Sequence, residues 1–306
     1  MIRRVAGAAM CAAALIGVIP RVSCSDPAGF AFLEVPAGAR ASALGGAFAS
    51  RAEGIEAAFW NPAGLAAANG IQITASHYEF LQQLRHAQFG VAGKLFGGGA
   101  AATLRAMYSE PIVERDALGN AIGTFGAHDL EFAVAYGRAL GNGVRAGGSV
   151  QIVRERIDDF AATTYALGAG GTWEPAPWPR LRLSASAHNL GPAGHFEFDG
   201  VRGRAVPLPS AVQLGASYGM QASGFDLRGA LETRLTRGRS GVAMIGAEAA
   251  HGTGAAIRLG LRVNDEATNF SMGAGYLLPA LYLDYAFVPY RLDLGDTHRF
   301  SLSLQF

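Results

Sequence analysis

Ile257-Arg-Leu-Gly-Leu-Arg-Val263 places a large aliphatic side chain at every odd position and Arg or Gly at every even one. A helix would scatter these aliphatics around its circumference. A strand sends successive side chains to opposite faces, so here it gains one apolar and one polar face. The alternation recurs. Leu130, Phe132, Val134 and Tyr136 alternate with Glu131, Ala133 and Ala135. Val212, Leu214, Ala216 and Tyr218 alternate with Gln213, Gly215 and Ser217, and Phe225, Leu227 and Leu231 with Asp226, Arg228 and Glu232. Read with the turn signals between them, about fourteen such segments emerge: 71–80, 86–96, 99–109, 128–138, 143–156, 161–174, 180–190, 210–220, 224–235, 241–251, 254–264, 268–277, 280–288 and 297–306. Their length of about ten residues suits a tilted strand that crosses a membrane, whereas soluble strands average about 5–6. The expected class is all-β, a transmembrane antiparallel barrel of about 14 strands over residues 70–306.

Composition points the same way. The chain is 50% hydrophobic yet only 16% charged, against about 25% charged in soluble domains, and it holds 42 glycines. With a formal net charge of +1 and no Lys/Arg run longer than two, it lacks the basic footprint of a nucleic-acid binder. Arg3 and Arg4, the apolar stretch Val5–Pro20 and the small residues Val22-Ser23-Cys24 follow the plan of a cleaved secretory signal over residues 1–24. An uncleaved anchor is the weaker reading, because the stretch falls short of the roughly 20 residues that span a bilayer. Arg21, where a lipobox wants Leu, argues against a lipoprotein. Both cysteines, Cys11 and Cys24, lie in this leader, so a mature chain cleaved after it has neither disulfides nor thiolate metal ligands.

The connections carry orientation. Bacterial barrels have short periplasmic turns and longer outer loops. The longest connections, 110–127, 191–209 and 289–296, follow the third, seventh and thirteenth segments, so all share one side. Tyr136, Trp173, Tyr218, Tyr276 and Phe306 fall near the ends of even segments, with Trp178 beside them, as an aromatic belt at the opposite rim requires. Residues 37–69 break the alternation. Gly38–Ser50 is too small and Ala-rich for a strand, and Ile55–Trp60 reads as a short helix stopped by Asn61-Pro62. Residues 25–69 are therefore expected to form a partly helical hatch that folds back into the barrel.

Ala37-Gly-Ala-Arg-Ala-Ser-Ala-Leu-Gly-Gly-Ala-Phe48, Ala57-Ala-Phe-Trp-Asn-Pro-Ala-Gly-Leu-Ala66 and the ending Leu294–Phe306 resemble the PorV/PorQ family of outer-membrane proteins. That family is similar in turn to the FadL-type long-chain fatty-acid channels, whose 14-stranded barrel carries an N-terminal hatch with an Asn-Pro-Ala segment. The resemblance covers both ends strongly and the middle only in strand pattern. It implies a hatch motif at Trp60, Asn61, Pro62, Ala63 and Gly64. Phe300, Leu302, Leu304 and the terminal Phe306 look like the signal by which barrel-insertion machinery recognises a last strand.

No chemistry of catalysis stands out. His77, His86, His128, His188, His195, His251 and His298 show no metal-ligand spacing. Phe96-Gly-Gly-Gly-Ala100 lacks the Lys and Ser/Thr of a phosphate loop, and no helix pattern follows Gly168-Ala-Gly-Gly-Thr. Neither an enzyme nor a cofactor is expected. On the strand phases, Arg105, Glu131, Arg182, Arg228, Glu232, Arg258, Arg262 and Asp284 face the lumen, where they would brace the hatch or line a hydrated interior. The resemblance favours a type IX-like secretion component that carries exported proteins, with a FadL-like passive channel for hydrophobic molecules as the alternative. Its expected partners are outer-membrane lipid, the insertion machinery, and exported proteins or secretion-system subunits, not nucleic acid. Cell fractionation checks this reading: the processed chain should enter the outer membrane, and its gel mobility should shift on heating, as a closed barrel without edges requires.

Overall fold

A sheet with one apolar and one polar face must keep its backbone groups paired if it is to sit in lipid, and closure achieves this without edges. The computed structural model describes residues 29–80, 84–291 and 295–306; the leader 1–24 and residues 25–28 lie outside the described residues. Among the described residues, fourteen antiparallel strands form a closed wall. In chain order these are β1 (Gln72–Glu79), β2 (Leu84–Leu95), β3 (Gly98–Ser109), β6 (Ala127–Gly141), β7 (Val144–Ile157), β8 (Phe160–Trp173), β9 (Leu181–Leu190), β12 (Ala211–Ala222), β13 (Phe225–Thr236), β14 (Val242–His251), β15 (Ala255–Val263), β16 (Phe270–Leu277), β17 (Leu281–Pro289) and β18 (Asp296–Gln305). Every alternating segment of the sequence has its strand, with ends displaced by a few residues. The last strand closes on the first, from Gln72 opposite Gln305 to His77 opposite Phe300. Ile71 and Phe306 then exchange both backbone hydrogen bonds, at 3.2 and 2.9 Å.

The two faces are inverted relative to a soluble protein. Phe89, Leu104, Phe132, Ile152, Leu167, Leu214, Ile245 and Leu259 stand exposed on the outside, while Gln88, Thr103, Glu131, Gln151, Gln213, Glu232 and Glu248 are buried inside. An apolar belt of this extent suits lipid rather than water. The two rims differ. At one, here the turn end, Asn142-Gly143 and Ser223-Gly224 make two-residue hairpins with both residues at positive φ (51° and 76°, 49° and 82°), the geometry that matches strand twist. Trp173, Tyr218, Tyr276 and Phe306 are exposed around this rim with Trp178 in its β8–β9 turn, and the Tyr136 hydroxyl donates to the Phe96 carbonyl at 3.0 Å.

At the loop end, two expected loops contain further hairpins. In 110–127, β4 (Ile112–Arg115) pairs only with β5 (Ala121–Phe125), and the Asp116 carboxylate closes the tip by accepting from Leu118 N and Asn120 N, both at 2.9 Å. In 191–209, β10 (Gly194–Phe198) pairs with β11 (Val201–Val206) and with β8, extending the wall. These strands run only four to six residues, too short for alternation to mark them off from a loop; β4, β5 and β11 are exposed along almost their whole length, while Gly194 and Phe196 of β10 face the apolar cluster around Phe30.

Residues 30–68 contain no strand. A 3-10 turn (Ala31–Glu34), α1 (Ala39–Ala43), a second 3-10 turn (Gly54–Glu56), α2 (Ala57–Trp60) and a third (Pro62–Ala67) follow one another inside the barrel. Asn61, extended at φ −160°, ends α2 ahead of Pro62. Alanines at 39, 41, 43, 47 and 49 are buried, and their small side chains let this backbone approach the inner wall.

Lipid and lumen phases make opposite demands at neighbouring positions of β15. Leu259 is 60% exposed at mid-strand, so Leu259→Arg should cost about 2–4 kcal/mol in a micelle unfolding titration. From alternation alone, Gly260→Ser is expected to be much milder. The structure overturns that: a Cβ on Gly260 would overlap the backbone of Leu44 and Gly45, so this change should also cost about 1–3 kcal/mol.

Candidate functional site

The site is the filled lumen, and its base is the Asn-Pro-Ala turn. Asn61 is fully buried; its side-chain amide donates to the carbonyls of Ala49 (3.2 Å) and Gly171 (3.3 Å), while its oxygen accepts from Ala63 N at 3.2 Å. One side chain thus caps the third 3-10 turn, ties the plug to itself and ties it to β8. Trp60 donates from Nε1 to the Ala37 carbonyl at 3.0 Å and packs edge-on against Phe48. Pro62 opens the 3-10 turn, Ala63 is fully buried, and Gly64 sits so close to the Ala52 carbonyl that no Cβ fits. The wall answers with glycine. Gly99, Gly137, Gly147 and Gly170, on four adjacent strands, lie under Leu65, Pro62 and Asn61, and a Cβ at any of them would overlap the plug. The shared inward phase of these four glycines was the sign of a seat that the sequence offered.

Charge fastens the rest. Glu248 on β14 receives three arginines: Arg51 at 2.6 Å, Arg258 at 2.6 Å and Arg40 at 3.1 Å. Arg258 also meets Asp284 at 2.7 Å and Arg40 meets Glu56 at 3.2 Å, so three cations face three carboxylates. Buried ions survive only when paired and hydrogen-bonded, and this cluster meets that condition across the plug and three wall strands. Glu232 has a different role. Its buried carboxylate accepts from Ala49 N (3.0 Å), Ser50 N (2.8 Å), the Ser50 hydroxyl (2.6 Å) and Gln213 Nε2 (2.5 Å). Arg262 donates to the Gly45 carbonyl at 3.0 Å and pairs with Asp265 at 2.6 Å. Arg299 donates to the Ser42 hydroxyl at 2.9 Å and lies 4.6 Å over the Tyr78 ring.

The remaining charged residues singled out in the sequence sit elsewhere in the lumen. Arg105 and Glu131 form a buried pair on β3 and β6. Arg182 bridges Glu53 (2.7 Å) and Glu174 (2.6 Å) near the turn end, and Arg228 pairs with Asp226 in a more exposed position there. Phe300, Leu302 and Phe306 point outward from β18 and Leu304 is half-buried, while the intervening Ser301 accepts from Ala39 N at 2.7 Å. Glu248, Arg40, Arg51, Arg299 and Gln213 were missed. Each wall member occupied a polar phase, but only the threaded plug shows what it holds.

Above α2 remains a small chamber of about 30 Å³, space for a few waters at most. Phe59 and Trp60 form its floor, and Arg105, Gln151, His188 and Arg234 reach it from the wall. A bulge opposite Gly168 changes the register of β9 against β8, with Asn189 at φ 55°, so the consecutive His188 and Asn189 both reach the chamber. Above it the lumen turns apolar: Phe30, Phe32, Leu33 and Val35 pack against Tyr78, Met107, Val153 and Leu208.

The Glu248 cluster can be tested against a rim pair. Glu248→Ala strips Arg51 of its carboxylate and should cost about 3–5 kcal/mol by urea unfolding in micelles. Asp226→Ala, which breaks the more exposed Arg228 pair, should cost below about 1 kcal/mol.

No family model and no curated protein matches the chain. Solved structures do. The CymD monoaromatic hydrocarbon channel superposes with a TM-score of 0.62 at 13% identity, over 88% of this chain and 97% of that one. The Pseudomonas putida toluene transporter TodX gives 0.60 at 11%, over 92% and 99%. A Pseudomonas aeruginosa FadL homologue gives 0.56 at 13%, over 88% and 98%. Nothing in these comparisons supports the PorV/PorQ resemblance. What the chain shares with these proteins is their fold: a 14-strand barrel with a short helical segment at its N-terminus.

Proposed function

We propose that this chain is a passive outer-membrane channel for small hydrophobic molecules, with residues 29–69 as its plug. The observation that carries the reading is the threaded architecture, shared over about nine-tenths of the chain with proteins described as a monoaromatic hydrocarbon channel and a toluene transporter. The apolar layer around Phe30, Phe32 and Leu33 supports it, since it gives the loop-end half of the lumen a greasy lining beneath the hairpins. Below that layer the plug fills the lumen, with Phe48, Trp60 and Leu65 packed in one cluster with Ala92, Ala101 and Ala135 of the wall and with Arg40 and Arg51 ion-paired to Glu248, so transport requires the plug to shift.

The secretion-carrier reading keeps one specific support. Among the described residues the β4–β5 hairpin pairs with no strand of the wall, and it exposes Ile112, Val113, Leu118 and Ile122, a surface that suits a protein ligand. A gene deletion separates the two. Slower entry of radiolabelled toluene or long-chain fatty acid, with an unchanged set of surface proteins, supports the channel. Normal uptake with surface proteins missing would overturn it in favour of the carrier.

Assembly rests on the last strand in this proposal. Deleting Phe306 removes a reciprocal backbone pair with Ile71 and an outward aromatic. Pulse-chase insertion of the truncated chain should slow, while protein already inserted keeps its heat-shifted mobility. Insertion at the full-length rate would reduce the C-terminus to an ordinary strand.

A further inference from the structure

Around Glu248, positive and negative groups of the lumen balance. At the turn end they do not. A recess of about 180 Å³ opens there between Arg51–Glu53 of the plug and the adjacent ends of β8, β9, β12 and β13. Arg51, Arg180, Arg182 and Arg228 line it; Arg51 meets Glu248, Arg182 meets Glu53 and Glu174, and Arg228 meets Asp226, so the charge of Arg180 is the one left over among the described residues.

The two carboxylates are already engaged. Glu53 receives Arg182 at 2.7 Å and Arg145 at 3.1 Å; Glu174 receives the same two arginines at 2.6 and 3.4 Å. This closed square leaves nothing for the other lining cations. Arg228 meets Asp226 on its own strand, and Arg180 enters no ion pair among the described residues. Arg51, with a side chain only 5% exposed, gives Nη2 to Glu248, and its buried Nη1 has no hydrogen-bond partner among the described residues. A buried guanidinium donor without an acceptor is unfavourable, so an acceptor brought to this atom would be stabilising.

We propose that the recess is a binding site for an oxyanion of the phosphate or carboxylate type, held by Arg180 and Arg228 and completed by Arg51. The planar guanidinium fork matches the oxygen spacing of both groups and donates charge-assisted hydrogen bonds to them. Two sources offer this chemistry. One is a free anion in the water at the turn end. The other is the phosphate of a lipid headgroup, because Tyr218 lines the recess and exposed Trp178 sits in the adjoining turn, at the rim where amphipathic rings meet headgroups. The site is independent of what the barrel carries, so the proposal stands or falls separately from the channel reading.

The full-length protein, purified in a nonionic detergent free of phospholipid, is titrated with inorganic phosphate by calorimetry. Saturable binding is expected, weakened at least tenfold in the double variant Arg180→Gln/Arg228→Gln. Arg138→Gln, at the same end but outside the recess, should bind as the parent does. Native mass spectrometry of protein from phosphatidylglycerol nanodiscs identifies the source. Retention of one lipid that phosphate displaces, lost in the double variant, assigns the headgroup; phosphate binding with no retained lipid assigns the free anion. Heat-shifted gel mobility confirms that each variant is folded. Absence of both ligands from the folded parent, or equal affinity in the double variant, overturns the proposal.

Discussion

Every backbone amide in the membrane-crossing part of this chain must find a partner within the protein, because hydrocarbon supplies none. The closure of β18 onto β1 meets that demand at the last remaining edge. With an open edge, the run of N–H and C=O groups along β1 would face lipid unpaired. Closure also sorts the side chains. It sends Leu259 and its outward neighbours to lipid and commits the alternate positions to an interior too wide for wall side chains alone to fill.

The plug solves the second half of that problem. Wall glycines at 99, 137, 147 and 170 lower the inner surface by a side chain's depth, and the Asn61-Pro62 turn occupies the space so made. Asn61 shows how tightly the two parts are coupled. It satisfies its own turn, a second plug segment and the carbonyl of Gly171 on β8 at once. Backbone contact at this range leaves no room for water between the Asn61-Pro62 turn and the four strands beneath it.

Electrostatics then divides the lumen into levels. The Glu248 cluster is neutral within itself and locks the plug from the β14–β17 side, whereas Glu232 holds the Ala49–Ser50 backbone with no cation among its hydrogen-bond donors. The apolar layer around Phe30 lies toward the loop end, and the arginine-rich recess lies at the turn end. A solute crossing the barrel would meet greasy, polar and cationic surroundings in turn, with the fastened plug between.

The sequence by itself determined the barrel, its strand number, the inward phase of the charges and the break at residues 37–69. Each of these follows from period-two alternation and from local turn chemistry, which neighbouring residues encode completely. Ile257–Val263 needs no distant partner to declare its two faces. What the charges do was decided only by the tertiary structure. Arg40 and Glu248 lie 208 positions apart, and Gly147 meets Pro62 where the plug is seated on the wall; no local pattern records such pairs. Gly260 makes the point most sharply. Alternation assigns it to the lumen as a position open to a small side chain, but the plug lays the Gly45 backbone against it, because the space inside a closed wall is shared by segments that the sequence never places side by side.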